Sequence, residues 1–459
     1  MGGILLLRKD GGAEMRFRVS GEEKTMNNHE MYQAKLTTPE KLAEALQSGW
    51  VLGMDTGPSQ TPALMEAFAA RVRGSELRDI KVQTLLDVYP FAFYADDSLA
   101  GKMTGYSWFS SGGARKAVNG GWADFIPAYY RDIPGHIRSG YTYDAFCVAV
   151  SPMDKHGYFS LGNNASYAQA MIDKARRVYV EVNDRQPRAV CGAQIHISQV
   201  DAIVENSFPL PVLPPVTLDE VSVTIGNLIA EQIPDGACIQ LGIGAIPDAT
   251  GMALKAKHDL GIHTEMFTDS MVELIECGAV NNSKKQIHRG KSVTTFAYGS
   301  QRIYDYIDDN PAIELLPVDY VNNPEVICKN DNMISINAAL EVDLWGQVCA
   351  ESVGTKHMSG SGGQIDYVRG ACQSKGGKSF IAFSSTAKGG TISKIKPILT
   401  PGAVCTTSKN DVDYIVTEYG IAHLRGESLG ERARQLIAIA HPDFRDELRF
   451  EAKKRGIMV

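Results

Sequence analysis

The chain has 459 residues, of which 44% are hydrophobic and 22% are charged. This composition is typical of a globular protein with large cores, and it excludes disordered, collagen-like and disulfide-scaffold chains. The net charge of −7, from 46 Lys and Arg against 53 Asp and Glu, argues against a general nucleic-acid or anionic-membrane binder but allows a local basic pocket.

The cysteines and the N-terminal residues bear on where the protein is found. The eight cysteines are scattered and include no C-x-x-C pair, so we expect reduced thiols in a cytoplasmic protein. Residues 4–7 are apolar, but this run is too short for the core of a signal peptide. No run reaches the length of a membrane span, so no membrane partner is expected. Residues 1–30 are polar and weakly patterned, and we expect an N-terminal extension there.

The first half of the chain predicts an α/β domain over residues 31–208. Thr38 is the predicted N-cap of a helix that begins at the next residue, a proline, where the missing N–H costs no hydrogen bond. A strand over residues 50–54 then leads into a turn at residues 55–58. Residues 62–71 predict the next helix.

A proline-rich linker is predicted over residues 209–216, where four prolines block both a helix and a central strand. Thr217 and Glu220 then form a capping-box pattern for a helix that ends near residue 231. A second α/β domain is therefore predicted over residues 217–459.

The second domain repeats the order of the first. After its first helix come a strand over residues 237–241, a glycine-rich turn over residues 242–247 and another helix. The turn DKHGY at residues 154–158 recurs as DLWGQ at residues 343–347. The predicted fold class is therefore α/β, with two similar open-sheet domains related by internal duplication. Because ligands of open α/β sheets bind outside the carboxyl ends of the strands, we expect the active site in the crevice between the halves.

The glycine-rich turn of the second half reads GIGAIP. A dinucleotide-binding fingerprint needs a third glycine where Pro247 stands, so a nicotinamide enzyme is disfavoured. Backbone N–H groups beside a helix N-terminus suit a phosphate or a developing oxyanion. A tight turn that only packs the strand on the helix is the alternative.

A denser glycine cluster, GSGGQIDYVRGA, occupies residues 360–371. Three glycines in four positions weaken any regular element. We therefore expect a loop in close contact with a ligand or with another backbone segment, in preference to a merely flexible one.

Residues 261–267 alternate in polarity and predict a strand. Glu265 then lies in mid-strand, where a carboxylate is disfavoured. On these residues alone, a solvated or ion-paired glutamate is favoured over a catalytic one.

Together these segments resemble the acetyl-CoA hydrolase/transferase family, the single-chain relatives of class I CoA-transferases, and most closely its 4-hydroxybutyrate CoA-transferase branch. The resemblance implies two similar α/β domains, a glutamate nucleophile at Glu265 and no metal. The matching segments, in one order along the chain, include residues 125–127 (FIP), 151–158 (SPMDKHGY), 240–247 (QLGIGAIP), 264–266 (TEM), 337–347, 360–371, 384–390 (SSTAKGG) and 416–420 (VTEYG).

The implied activity is the transfer of CoA between an acyl-CoA, of the acetyl, butyryl or succinyl type, and a short-chain carboxylate such as 4-hydroxybutyrate. The implied mechanism is ping-pong, through an acyl-glutamyl anhydride and a glutamyl-CoA thioester. The backbone amides of Ile243 and Gly362 are the predicted oxyanion donors. The glycines predicted to contact CoA are Gly242, Gly244, Gly360 and Gly363.

The resemblance also implies that Asn322 and Glu418 orient the nucleophile or the incoming carboxylate. The alternative for Asn322 is a residue that holds a turn, and for Glu418 an ion pair with Arg425. Lys388 and Lys394 are predicted to meet the phosphates of CoA, with solvated surface charges as the alternative.

Acyl-CoA and small carboxylates are the expected partners, without nucleic acid, and a homo-oligomer is expected. Two further enzymes are compatible with the same residues: an acyl-CoA thioester hydrolase, and a dicarboxylate CoA-transferase that acts on succinate or itaconate. A non-catalytic CoA-binding protein is the alternative from another class. The sequence alone does not identify the carboxylate.

Overall fold

The computed structural model describes residues 4–9, 12–19, 22–140 and 142–458. Near the N-terminus, three antiparallel strands form a small sheet of their own. These strands are β1 (Ile4–Lys9), β2 (Gly12–Val19) and β3 (Glu22–Thr25).

The first half of the chain forms one seven-stranded sheet, a two-stranded ladder and six helices. The strands are β4 (Val51–Thr56), β5 (Ile80–Leu85), β6 (Met103–Ser107), β7 (Asp124–Phe125), β8 (Ala145–Val150), β9 (Tyr158–Ser160), β10 (Val178–Val182), β11 (Gln194–His196) and β12 (Ala202–Glu205). The helices are α1 (Asn28–Lys35), α2 (Pro39–Glu44), α3 (Pro62–Arg73), α4 (Gly112–Gly120), α5 (Ile133–Ser139) and α6 (Ala168–Lys174).

The seven-stranded sheet has the order β12-β10-β8-β4-β5-β6-β7 and is parallel throughout. Its central strands are rich in Val, Ala, Phe and Met, and β8 is buried along its whole length. Helices on both faces cover a parallel sheet in this way, which explains the continuous apolar runs. As predicted, Thr38 caps α2, where its side chain accepts from the N–H of Lys41.

The second half contains the remaining elements. The strands are β13 (Cys238–Leu241), β14 (Gly261–Ile262), β15 (Met266–Phe267), β16 (Ser292–Thr294), β17 (Phe296–Ala297), β18 (Ile313–Leu315), β19 (Met333–Ala338), β20 (Glu341–Asp343), β21 (Val348–Cys349), β22 (Ser352–Val353), β23 (Lys356–His357), β24 (Lys378–Ala382), β25 (Thr386–Ala387), β26 (Ile392–Ser393), β27 (Ile395–Lys396), β28 (Tyr414–Thr417) and β29 (Gly420–His423). The helices are α7 (Glu220–Glu231), α8 (Ala245–Ala253), α9 (Asp269–Glu276), α10 (Gln301–Ile307), α11 (Val318–Val321), α12 (Pro324–Ile327), α13 (Gln364–Gln373), α14 (Leu429–Ala438) and α15 (Pro442–Lys454).

The two halves share one strand order. The main sheet of the second half runs β14-β13-β19-β24-β28-β29, with only β29 antiparallel. A parallel bridge between His263 and Val293 extends it towards β16 and its parallel partner β18. The order β28-β24-β19-β13-β14-β16-β18 thus matches that of the first sheet strand for strand.

The repeated turns have the same hydrogen bonds. The side chains of Asp154 and Asp343 each accept from the backbone N–H groups two and four residues later. Gly157 and Gly346 occupy the same left-handed conformation, with φ of 88° and 84°. The predicted fold class, two similar α/β halves related by duplication, is confirmed.

The connection between the halves contacts both of them: Asn183 of the first half exchanges hydrogen bonds with the backbone of Phe208, and later residues pack on the second half. Residues 206–219 form neither helix nor strand, in agreement with the four prolines. Leu210 is buried in the second core, and the N–H of Leu213 donates to the carbonyl of Gly299. The predicted cap of α7 is wrong: Asp219, not Thr217, is its N-cap and accepts from the N–H of Ser222.

The cores of the two halves meet across the cleft. Met266, Phe296 and Val318 of the second half pack into a core of the first half, while Ala165 and Ala189 of the first half pack into that of the second. This packing holds the walls of the cleft in place. Within the described residues, no helix combines the length and the apolar character that crossing a membrane requires. The eight cysteines are free thiols, of which Cys277 and Cys405 are exposed.

Candidate active site

Glu265 lies in a break between two short strands, so the predicted continuous strand over residues 261–267 is wrong. Strand β14 ends at Ile262, and the chain then crosses to pair with β17. The backbone carbonyl of Glu265 accepts from the N–H groups of Thr295 (3.0 Å) and Phe296 (3.3 Å) and from the hydroxyl of Thr294 (2.9 Å). These bonds fix the break and place Glu265 beyond the carboxyl end of β14, in the cleft between the halves.

Two donors hold the Glu265 carboxylate. The side-chain Nδ2 of Asn322 donates to Oε2 over 2.6 Å, and the backbone N–H of Gly363 donates to the same carboxylate. A Cβ atom on Gly363 would lie 1.9 Å from Oε2 of Glu265. Only glycine therefore allows this approach of the backbone to the carboxylate.

Asn322 serves both a turn and the carboxylate. It ends α11, where its N–H donates to the carbonyl of Val318 over 2.9 Å. Its side chain is fully buried, and within the described residues its Oδ1 has no hydrogen-bond partner. Asn322 therefore both ends the helical turn and contacts the predicted nucleophile.

The environment of Glu265 favours its neutral form. Burial raises the pKa of Glu265 to about 7, while the hydrogen bonds from Asn322 and Gly363 act in the opposite direction. The group therefore changes charge near neutral pH, which is the range in which a carboxylate can act as a nucleophile after losing its proton.

An apolar cavity of about 140 Å³ lies beside Glu265, between the two halves. Residues of the first half that line it are Leu85, Leu86, Trp108, Phe109, Ala128, Tyr130 and Ile133. Residues of the second half that line it are Gln240, Leu241, Gly242, Ile243, Glu265, Met266, Phe296, Asn337, Gly362, Gly363, Gln364 and Tyr367. The cavity thus lies in the crevice between the halves, where the ligand site is expected, and Glu265 lines it.

The second glycine cluster is a loop only over residues 360–363, since residues 364–373 form α13. The loop is in contact with the first half: a Cβ on Gly360 would lie 3.0 Å from the carbonyl of Trp108. The carbonyl of Gly362, which has a left-handed φ of 53°, accepts from the N–H of Tyr130. The expected close contact with another backbone segment therefore comes from the first half of the chain.

The first glycine loop follows β13 and reaches the same cavity. Gly242 and Ile243 line it, and Gly244, with φ of 112°, is the N-cap of α8. Helix α8 begins at Ala245, so Pro247 stands in its first turn rather than in a turn before it. The positive end of this helix dipole adds to the field at the cavity.

Glu418 and the two lysines form a separate group. Glu418 accepts from the N–H (2.8 Å) and the hydroxyl (2.6 Å) of Ser385, whereas Arg425 donates to the carbonyl of Cys372, so the alternative ion pair is wrong. The Nζ of Lys394 donates to the hydroxyl of Ser384 over 3.1 Å. Burial lowers the pKa of Lys394, against the opposing charge of Glu418.

Lys388 lies at the tip of the hairpin formed by β25 and β26, where it is exposed and has a left-handed φ of 49°. The structure thus gathers Glu265, Asn322, Ile243, Gly242, Gly362 and Gly363 around one cavity, and it places Glu418, Lys388 and Lys394 at this hairpin. Within the described residues, no group of three or more His, Cys, Asp or Glu side chains is arranged to hold a metal ion.

Sequence reasoning missed Asp366 and Arg131. Asp366, in the first turn of α13, is buried, and its Oδ1 lies 3.3 Å from Nε of Arg131 in the first half. Burial raises the pKa of Asp366, and the nearby Glu265 charge adds to this effect. The only signal in the sequence is an acidic residue inside a glycine-rich cluster, which by itself predicts no partner.

Comparison with known proteins identifies the family. Residues 20–214 match the acetyl-CoA hydrolase/transferase N-terminal domain, and residues 299–452 match the acetyl-CoA hydrolase/transferase C-terminal domain. The chain is 48% identical, over 425 residues, to the succinyl-CoA:cyclohexane-1-carboxylate CoA transferase of Geobacter metallireducens; the match covers 92% of this chain and 96% of that protein. It is 50% identical, over 348 residues, to the 4-hydroxybutyrate coenzyme A transferase of Clostridium kluyveri, covering 76% and 81%.

The fold has a solved counterpart in the crystal structure of RipA from Yersinia pestis. The two structures agree with a TM-score of 0.89 at 41% identity, over 94% of this chain and 100% of RipA. The expected enzyme class, a CoA-transferase, is confirmed by the named relatives. The chain therefore belongs to the acetyl-CoA hydrolase/transferase family.

Proposed function

We propose that the protein transfers CoA between an acyl-CoA and a short-chain monocarboxylate, with Glu265 as the nucleophile. The observation that carries the proposal is the Glu265 carboxylate itself, which Asn322 and Gly363 hold at the edge of an apolar cavity between the halves. A carboxylate in such a cavity is poorly solvated, and it reacts readily with a thioester once it has lost its proton.

The proposed reaction has two half-reactions. Ionised Glu265 attacks the thioester carbonyl, and the CoA thiolate leaves to give an anhydride between the acyl group and Glu265. The thiolate then attacks the glutamyl carbonyl, which releases the first carboxylate and leaves a glutamyl-CoA thioester. The incoming carboxylate reverses both steps and leaves as the new acyl-CoA, with Glu265 regenerated. Because one thioester replaces another of similar energy, no ATP is required.

Two sets of donors support the tetrahedral intermediates. Attack at the glutamyl carbonyl puts negative charge on a Glu265 oxygen, to which Asn322 and Gly363 already donate. Attack at the acyl carbonyl puts the charge on the substrate, and the backbone amides of Ile243 and Gly362 are the proposed donors there because both residues line the cavity. Each such donor contributes about 3–4 kcal/mol.

The cavity lining favours a monocarboxylate over a dicarboxylate. Among the described residues, those that line the cavity include no Lys, Arg or His, and most of its walls are aliphatic or aromatic. The second carboxylate of a succinyl or itaconyl group would lose its water there without gaining a counter-charge. Butyrate and 4-hydroxybutyrate belong to the class that fits.

The phosphates of CoA need cations elsewhere. We assign them to the hairpin of β25 and β26, where Lys388 is exposed at the tip and Lys394 lies at the base. Glu418 binds Ser385 beside Lys394, so its proposed role is to hold this hairpin in position. The glycine loops at residues 242–244 and 360–363 then receive the thiol end of CoA.

The test is a trapping experiment on the wild-type enzyme and the variant Glu265→Gln. After incubation with butyryl-CoA and reduction with borohydride, mass spectrometry should find the modification on Glu265 of the wild type and on no residue of the variant. Transfer of CoA from butyryl-CoA to acetate should fall by about 1,000-fold or more in the variant. Glu325→Gln, at an exposed glutamate in α12, is the matched control and should behave as the wild type.

The same assay separates the alternatives. Release of free thiol without formation of acetyl-CoA would identify a thioester hydrolase and contradict the proposal. Full turnover in Glu265→Gln would show that the nucleophile is assigned wrongly. Binding of butyryl-CoA with neither reaction would indicate a CoA-binding protein without catalysis.

A further inference from the structure

A second cavity adjoins the one beside Glu265. It has a volume of about 370 Å³ and lies between the linker, helices α8 and α9, and residues 298–302. Two residues, Ile243 and Met266, line both cavities. These two residues therefore form the partition between the cavities.

Both residues of the partition lie next to proposed site residues: Met266 follows Glu265, and Ile243 is part of the glycine loop after β13. Met266 directly follows Glu265 and is the first residue of β15, where it is 7% exposed. Ile243 stands between Gly242, whose N–H donates to the carbonyl of Ile336 over 3.0 Å, and Gly244. Ile243 is 54% exposed, so its side chain lies outside the cores and faces the space of the cleft.

The second cavity differs in character from the first. Part of its wall is apolar, because Leu213, Pro214 and Met252 line it. It also carries the acidic residues Asp248, Asp269 and Glu273, of which Asp269 accepts from the N–H of Ser300 and Glu273 pairs with Lys255 over 2.5 Å. A hydrocarbon chain that passed the partition would therefore find apolar side chains to pack against.

We infer that the side chains of Ile243 and Met266 set the longest acyl chain that the enzyme transfers, by closing the acyl cavity against the second one. This inference rests on the proposed function, since it needs the acyl group of the substrate in the cavity beside Glu265. In the wild type, a short chain fills the first cavity and a longer one collides with the partition. Removing either side chain joins the cavities and admits the longer chain.

The experiment measures kcat/KM for acetate, butyrate, hexanoate and octanoate as acceptors, with acetyl-CoA or butyryl-CoA as donor. For the wild type we expect values that rise to butyrate and fall for hexanoate and octanoate. For Ile243→Ala and Met266→Ala the ratio of hexanoate to butyrate should rise by about fourfold for each methylene group that becomes buried. Ile243→Phe should shift the preference in the opposite direction, towards acetate.

Met252→Ala is the matched control, because Met252 lines only the second cavity and should leave the chain-length ratio unchanged. The two alanine variants remove different elements of the partition, so a folding defect in one, detected by thermal melting, leaves the other as a test. An unchanged ratio in a folded, active Ile243→Ala variant would overturn the inference, as would a wild type that prefers octanoate to butyrate. A wild type without transfer to any carboxylate would instead contradict the proposed function.

Discussion

Nε of Arg131, in the first half of the chain, lies 3.3 Å from Oδ1 of Asp366, in the first turn of α13 in the second half. The pair spans the cleft. Asp366 lies three residues after Gly363, whose amide donates to the carboxylate of Glu265. Three hydrogen bonds reinforce the pair nearby: Tyr130 N–H to the Gly362 carbonyl, Ser361 hydroxyl to the Ala128 carbonyl, and Ser110 N–H to the Ser359 carbonyl. The first half thus positions the glycine loop against Glu265.

Breaking this pair should cost stability, and removing both partners should cost less. Asp366 is buried and burial raises the pKa of its carboxyl, so in Arg131→Ala this group either takes up a proton or stays as an unpaired buried charge. Either outcome should lower the free energy of unfolding, by up to about 3 kcal/mol. Asp366→Asn in the Arg131→Ala background should recover part of that loss, as measured by urea denaturation of all four proteins in a double-mutant cycle. Strict additivity of the two single changes would show that the pair does not interact.

The pH profile of kcat/KM should show an acid limb near neutral pH, below which activity falls. Because the pKa of Glu265 is raised to about 7, kcat/KM should fall as the pH drops below this value and the nucleophile is protonated. Asn322→Ala removes a donor to the ionised carboxylate, so the limb should move to higher pH while kcat drops by about 100-fold or more. A reduced kcat with an unshifted limb would mean that Asn322 acts only as the turn residue at the end of α11.

Ionisation of Glu265 at high pH should also lower the free energy of unfolding. Its pKa is raised from 4.5 to about 7 on folding, so the native state binds this proton more tightly than the unfolded chain does. The associated stability is fully present below about pH 4.5 and is lost as the pH rises through 7, amounting to about 3 kcal/mol. Glu265→Gln should therefore be more stable than the wild type in urea at pH 8, and the difference should shrink at pH 5. Glu325→Gln serves again as the control without this dependence.

Gly363→Ala should abolish turnover through a steric effect. Its Cβ would stand 1.9 Å from Oε2 of Glu265 and 2.2 Å from Nδ2 of Asn322, so the carboxylate must leave its donors. Gly135→Ala, on α5, is the control because a Cβ there meets nothing within 4 Å, and helix propensity predicts unchanged activity and slightly higher stability. A Gly363→Ala enzyme that trapped butyryl-CoA on Glu265 at the wild-type rate would contradict the assigned geometry.

Lys388→Ala should raise KM for butyryl-CoA several-fold and make it less dependent on salt, since an exposed lysine on phosphate acts through screened charge. The shortened substrate butyryl-N-acetylcysteamine, which lacks the phosphates, should be transferred equally well by both enzymes. An equal rise of KM for both substrates would place Lys388 elsewhere than at the phosphates.

The sequence by itself determined the elements that local chemistry specifies. Thr38 caps α2 and the helix after residue 61 begins as predicted, because caps and proline positions depend on neighbouring residues alone. The repeated turns at Asp154 and Asp343 also follow from local hydrogen bonds, and they revealed the duplicated fold. By contrast, the prediction of Thr217 as the N-cap of α7 was wrong, since the helix begins at Glu220 and Asp219 caps it.

Only the tertiary structure decided the site. Glu265, Asn322 and Gly363 are far apart in the chain, and the contact between the first two arises because α11 ends beside the break that pairing with β17 creates. Burial then raises the Glu265 pKa, a property that depends on the whole surrounding cavity rather than on its neighbours in sequence. The same holds for the partner of Asp366, since an ion pair across the cleft exists only once the two halves have packed together.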